Sequence, residues 1–225
     1  MCQEHLSLGP FTMLLFAVAL GARTFPPFKT RADLVTIFNK MNFTRAAELG
    51  VQRGQFAKHN LERWPSCQDY LLVDVWRHQE NYIDYANVDN RAQETLLRTT
   101  LRNVAPFRSS VRICRDFTST CVKHEADGHF DVVYVDARHN YKGAMEDMVL
   151  WWPKVRKGGV LAGHDYMTAK DVADATPRQD WSVNDDGTRH KGAVKGAVND
   201  FAATVGRQVV VAYRERIWNS WVIVK

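Results

Sequence analysis

The sequence predicts an α/β chain built on a doubly wound sheet, mostly parallel and closed by an antiparallel C-terminal hairpin. Three observations carry this. From Arg45 onward, short apolar runs of strand length alternate with longer stretches of helical period, the pattern of successive βαβ units. The last two apolar runs are separated by only Arg214–Ile217, a spacing that suits a hairpin at a sheet edge. The 225 residues, 45% hydrophobic and 24% charged, suffice to bury roughly 70–75% of the unfolded surface in one domain and exclude disorder, collagen and coiled coil.

The chain divides into an N-terminal extension or signal peptide over residues 1–28 and a single domain over 29–225. Phe11–Ala22 (FTMLLFAVALGA) is the one long apolar run, too short for the ~20 residues of a membrane-spanning helix. Its length and its small residues Ala19 and Gly21 suit a secretory segment, whereas the preceding MCQEHLSLGP lacks Lys and Arg, which such segments normally carry. On balance the cytoplasm is favoured over the secretory pathway. Asn42-Phe43-Thr44 is a glycosylation sequon that matters only in a secreted chain. After Pro26-Pro27, the segment from Thr30 to Met41 places Leu34, Ile37, Phe38 and Met41 at helical spacing and is read as a lid helix.

Five strands follow in order: Arg45–Leu49, Tyr70–Val75, Val111–Arg115, Phe130–Asp136 and Val160–Gly163. Helices are expected at Gly54–Trp64, about Asn87–Val104 and Lys142–Val155, with Gly158-Gly159 turning the chain into the fifth strand. Thr168–His190 is polar and aperiodic and is read as a loop, of a length that usually has a function. Val194, Ala197, Val198, Phe201 and Val205 form a helical stripe, and Gln208–Tyr213 and Trp218–Val224 complete the set as strands six and seven.

Lys plus Arg number 30 against 25 for Asp plus Glu, a net +5, too diffuse for a nucleic-acid footprint; a small-molecule or anionic ligand is expected instead. Cys2, Cys67, Cys114 and Cys121 show no CxxC or paired zinc spacing, so they are read as buried small hydrophobes, with neither a disulfide scaffold nor a structural metal.

In an open parallel sheet, ligands bind beyond the carboxyl ends of the strands where strand order reverses. The first strand ends in Glu48-Leu49-Gly50-Val51-Gln52-Arg53-Gly54. Gly50 would permit a tight turn and Gly54 a close ligand approach to the helix start. This is not the dinucleotide GxGxxG. Asp74 ends strand two, placed to accept from both hydroxyls of a ribose. Asp116 follows strand three, either to accept from an adenine amino group beside Phe117 or to cap the next helix. Strands four and five end in Asp136-Ala137-Arg138-His139 and Gly163-His164-Asp165-Tyr166. Two carboxylates and two imidazoles at adjacent strand ends suit a divalent cation, a general base, or both; Asp136 and Asp165 offer the oxygens magnesium wants, and His164 shifts preference toward manganese, iron or zinc.

These residues resemble a class I S-adenosylmethionine-dependent methyltransferase of the small-molecule O-methyltransferase-like group. The similarity runs from about Thr44 to Lys225 and rests on Ala47–Val51 with Gly54–Ala57, Leu72–Trp76, Tyr134–Tyr141, and Trp151–Tyr166 with its Gly-His-Asp-Tyr ending. The resemblance implies a Rossmann-like seven-stranded sheet with an antiparallel last strand. It implies that Glu48, Gly50 and Gly54 face the methionine part of the cofactor and Asp74 its ribose. Metal-dependent relatives carry ligands at positions matching Asp136 and Asp165; the further carboxylate or amide of those relatives is not plainly present.

Methyl transfer from a sulfonium requires alignment of the acceptor and removal of its proton, roles expected of Asp136, His139 and His164 with magnesium or manganese on Asp136 and Asp165. The segment from Thr168 to His190, with Trp181, and the N-terminal helix are the expected walls of an acceptor pocket. The rivals are a nicotinamide-dependent oxidoreductase, disfavoured by the missing third glycine, and a catalytically silent Rossmann-like binding module. The acceptor and oligomeric state are not legible.

Overall fold

The structure, a computed structural model, describes residues 25–80 and 82–225. The apolar run 11–22 and the signal-peptide reading lie outside the described residues. Phe25 and Phe28 are buried in the core, so the packed unit extends ahead of the boundary read at residue 29. No described helix is long and apolar enough to cross a membrane.

The strands are β1 (Arg45–Leu49), β2 (Asp69–Val73), β3 (Val111–Cys114), β4 (Phe130–Val135), β5 (Val155–Gly163), β6 (Val209–Val211) and β7 (Trp221–Val224). They form one sheet in the order β3-β2-β1-β4-β5-β7-β6. The pairs β1–β2, β2–β3, β1–β4 and β4–β5 are parallel, and β7 runs antiparallel to both β5 and β6. Every residue of β4 is buried, which explains its near-continuous apolar sequence: helices cover both faces. One face packs against α5 (Tyr141–Trp151) and α7 (Ala193–Thr204), the other against α1 (Leu34–Lys40), α2 (Gln55–Arg63) and α3 (Asn90–Val104). The strand order reverses between β1 and β4, and this opens the crevice that holds the site.

Several expectations are corrected. The helix expected through Val155 stops at Trp151, because Pro153 cannot continue a helical ladder, and Val155 begins β5 by pairing with Phe130. Gly158-Gly159 is therefore inside a strand, where the β4–β5 register shifts; a Cβ at Gly159 would stand 2.6 Å from the Asp131 carbonyl oxygen. The segment read as loop contains α6 (Ala169–Ala175), held by a capping box between Thr168 and Asp171. The expected lid helix is a core element: Leu34, Val35 and Phe38 of α1 are buried, with Phe38 5.4 Å from the Trp64 ring.

The cysteine reading is also corrected. Cys114, the last residue of β3, and Cys121, the last of α4 (Thr118–Cys121), form a disulfide across a Cα separation of 6.1 Å. Their separation in sequence has no local signature; the short β3–α4 turn brings them together. Cys67 is the buried free thiol among the described residues.

One buried charge has no full set of partners. Asp147 of α5 accepts from the Thr118 hydroxyl, lies 3.6 Å from the Arg138 guanidinium, and leaves Oδ2 unpartnered. Burial pushes its carboxyl up to about 6 despite Arg138.

Two outcomes are expected. Closing a loop this short should contribute about 2.5 kcal/mol, so reduction of Cys114–Cys121 should lower Tm by roughly 5–10 °C in calorimetry. Because Asp147 binds its proton more tightly folded than unfolded, the stability it confers is present at low pH and lost as pH rises through about 6. Denaturant titrations at about pH 4 and pH 7 should show wild type losing up to ~3 kcal/mol relative to Asp147→Asn.

Candidate active site

A cavity of about 400 Å³ opens at the carboxyl ends of β1, β2, β4 and β5. Glu48, Gly50, Asp74, Asp116, Asp136, His139, His164 and Asp165 all line it. Gly54 does not: at φ +69 it starts α2, and a Cβ there would stand 2.9 Å from the Thr100 side chain. Here a glycine is needed for the close packing of α2 on α3. Gly50, at φ +83, is required more stringently, since a Cβ would stand 1.9 Å from the Asp136 carbonyl oxygen.

On the β2 side, Asp74 ties the turn together. Its Oδ2 accepts from the backbone N–H groups of Val51 and Gln52 and its Oδ1 from that of Trp76, each at 2.9 Å. Gln52 and Trp76 both adopt positive φ, a strain that non-glycine residues carry where surrounding structure imposes it. Asp116 lines the cavity and accepts from the Phe117 N–H at 2.7 Å; Phe117, not Asp116, is the N-cap of α4. Glu48 is 2% exposed and accepts from the Tyr70 hydroxyl at 2.7 Å. Burial, opposed by that hydrogen bond, pushes its carboxyl up to about 8.

On the β4–β5 side, the acidic and imidazole groups converge. The N-cap of α5 is Asn140, whose side chain accepts from Gly143, so Asp136 is not spent on capping. His139 Nε2 lies 3.1 Å from Asp165 Oδ2 and 3.5 Å from Asp136 Oδ1. Asp136, His139 and Asp165 each present one ligand atom within 4.8 Å of the others. The cation-capable group is thus these three, whereas His164 turns Nδ1 toward Asp165 Oδ1 at 2.8 Å. Burial works to lower the His139 pKa, but Tyr82 and the carboxylates of Asp136, Asp165 and Asp84 together raise it well above the usual histidine range. Burial would raise Asp165, yet the two histidines hold it well below the usual carboxylate range. Asp165 itself sits at φ +60.

Four residues of the site were not picked out in the sequence. Asp84 lies in the irregular stretch between β2 and α3. Its fully buried carboxylate accepts from His139 Nδ1 at 2.9 Å and from Trp181 Nε1 at 3.1 Å. Tyr82 donates to the Ala137 carbonyl and stands 3.1 Å from His139 Nδ1. Arg31, carried in by the 3-10 turn before α1, lies 3.6 Å from Asp136 Oδ2 and over the Phe56 ring. Trp218 joins Trp181, 5.7 Å between ring centroids, as a cavity wall. The length of the β2–α3 connection was the available signal for Asp84 and Tyr82; nothing local marked Arg31. Trp181 does line the cavity, and it stacks on His139 at 4.3 Å.

The reversed β7 and a cavity at the β1–β4 crossover define the class I methyltransferase fold. The chain belongs to the methyltransferase domain family, whose pattern it matches over residues 47–166; the resemblance to class I S-adenosylmethionine-dependent methyltransferases is borne out. Among solved structures it is similar to a protein from Staphylococcus aureus provisionally assigned as a caffeoyl-CoA O-methyltransferase (13% identity, TM-score 0.60, 86% of this chain and 82% of that one). It is similar also to an O-methyltransferase from Bacillus cereus in complex with S-adenosylhomocysteine (12%, 0.57, 89% and 84%). A third is the O-methyltransferase TomG from Streptomyces achromogenes, involved in tomaymycin synthesis and bound to S-adenosylmethionine (11%, 0.56, 87% and 79%). At these identities the likeness is one of fold. No curated protein matches the chain.

The steric demand at Gly50 yields a direct comparison. Gly50→Ala should cost about 3 kcal/mol, since backbone must move, whereas Gly187→Ala, at φ +78 with nothing within 4 Å of the added carbon, should cost about 1 kcal/mol. Denaturant midpoints measure both.

Proposed function

We propose that the chain moves a methyl group from S-adenosylmethionine to an oxygen of a small-molecule acceptor, assisted by a divalent cation. The observation that carries this reading is one cavity shared by the Gly50–Asp74–Asp116 side and the Asp136–His139–Asp165 side. Its volume falls in the range of small-molecule sites, and Asp74, Asp116, Asp136 and Asp165 line it, a setting suited to a cationic sulfonium. The cofactors bound in the Bacillus cereus and Streptomyces achromogenes structures agree with it.

In this reading Asp74 receives the ribose, Asp116 and Phe117 the adenine, and Glu48 and Arg31 the charged amino-acid tail. Gly50 keeps the turn close to β4, and Gly54 acts through the start of α2. When bound, the cofactor supplies an electrophilic methyl carbon. The chain must hold the acceptor oxygen in line with that carbon, for which Trp181 and Trp218 offer flat walls. His139, with Nδ1 held by Asp84, would hold a cation through Nε2 once that nitrogen gives up its proton. His164, fixed through Nδ1, is the base that removes the acceptor proton, presenting Nε2. The donor set of Asp136, His139 and Asp165 fits a cation, with Asp84 fixing the imidazole from behind as outer-shell carboxylates do. One nitrogen with two carboxylates favours manganese over magnesium. A bound cation would lower the pKa of a coordinated hydroxyl.

Calorimetry with S-adenosylhomocysteine tests the cofactor. Micromolar binding is expected, weakened at least tenfold, or about 1.4 kcal/mol, in Asp74→Ala. Arg31→Gln should weaken it similarly and leave binding of 5′-methylthioadenosine, which lacks the amino-acid tail, unchanged. Binding of NAD in place of S-adenosylhomocysteine sinks the assignment. Methyl transfer should stop in chelator and return with manganese; turnover undiminished both in chelator and in Asp136→Ala removes the cation from the reaction.

A further inference from the structure

Two features outside the reacting groups point to the environment in which this chain matures. The first is the Cys114–Cys121 bridge. It spans the turn that carries Asp116 and Phe117 to the cavity wall, and Cys121 is 1% exposed. Thiols of this kind stay reduced in a cytosol, while bridges persist in oxidising compartments. The second is the turn between α1 and β1. There Asn42 is exposed, Phe43 is buried, and the Thr44 N–H is held by Asp131 at 2.7 Å. Asn42-Phe43-Thr44 has the acceptor form for N-linked glycosylation. This turn leads into the amino end of β1, whereas the cavity opens at the carboxyl ends of the strands. A bulky group on Asn42 therefore leaves the cavity mouth clear.

We infer that Asn42 carries an N-linked glycan and that the chain folds in the oxidising lumen of the secretory pathway, where Cys114 and Cys121 become joined. The apolar run Phe11–Ala22 has the length of a secretory segment. The amide nitrogen of Asn42 attacks the anomeric carbon of a lipid-pyrophosphate-linked oligosaccharide; the lipid pyrophosphate leaves, and the amide gives up a proton. Separately, the two thiols give up two protons and two electrons to the disulfide of a lumenal thiol–disulfide oxidoreductase, which becomes a dithiol. Neither step depends on the methyltransferase reading.

Asn42 adopts φ +56, a left-handed position following a helix, where asparagine and glycine are both favoured. The test uses that fact. The full chain, with its own amino-terminal residues and a carboxyl-terminal tag, is produced in cultured eukaryotic cells. Wild type should migrate as a larger species that collapses on peptide-N-glycosidase treatment, and this shift should vanish in Asn42→Gly and in Thr44→Ala. Glycine satisfies the left-handed turn, so an unchanged Tm in Asn42→Gly separates loss of the acceptor from loss of the fold. Alkylation under denaturing, non-reducing conditions should leave Cys114 and Cys121 unlabelled in the same wild-type sample. A wild-type chain without the shift overturns the proposal. So does a shift that survives in Asn42→Gly, or a glycosylated chain whose Cys114 and Cys121 both alkylate.

Discussion

The arrangement of the site depends on how closely β1 and β4 approach at their carboxyl ends. The Asp136 N–H donates to the Leu49 carbonyl at 2.7 Å, and the Asp136 carbonyl oxygen occupies the space a side chain at position 50 would need. Strand order reverses at this seam, so the chain leaves β1 toward one face of the sheet and β4 toward the other. The same contact that splays the connections apart sets the turn of Gly50 beside the carboxylate of Asp136. Asp74 then secures that turn from the far side by accepting two of its backbone N–H groups. Both halves of the cavity are thus indexed to one backbone contact.

Electrostatics divides the cavity. Near β1 and β2, Glu48 is deprived of water and carries its proton near neutrality. Near β4 and β5, charge is retained because imidazoles lie among carboxylates, and Asp165 stays ionised although buried. Asp84 anchors this second group without lining the cavity: it sits behind His139, its carboxylate enclosed, and dictates the ring's orientation. An unpaired carboxylate buried in that position would be costly; paired with His139 and the Trp181 indole, it is satisfied.

The strand pattern was legible because helices on both faces force the central strands to be apolar throughout, as in Phe130–Val135. Strand-end carboxylates were legible for the same reason: the first polar residue after such a run marks where the backbone leaves the core, as at Asp74 and Asp136. What escaped depends on contacts distant in sequence. Arg31 meets Asp136, and Asp84 meets His139, only after the sheet has assembled. The helix α6 was hidden because Val172 is its single buried residue, too little to register as a period. The bridge between Cys114 and Cys121 joins the tip of a strand to the end of a one-turn helix, an adjacency that neither cysteine advertises. Gly54 was legible as special, and the contact that demands a glycine there is with Thr100 of a neighbouring helix, distant in sequence.

Trp181 stacks on His139 and donates its indole N–H to the carboxylate that orients that ring. The wall of the cavity and the group beside the two acids are therefore one mechanical unit. A guest too bulky for the space under the indole would tilt it, loosen its grip on Asp84, and leave the imidazole askew. Fit at the wall and the orientation of the imidazole are then coupled through a single indole.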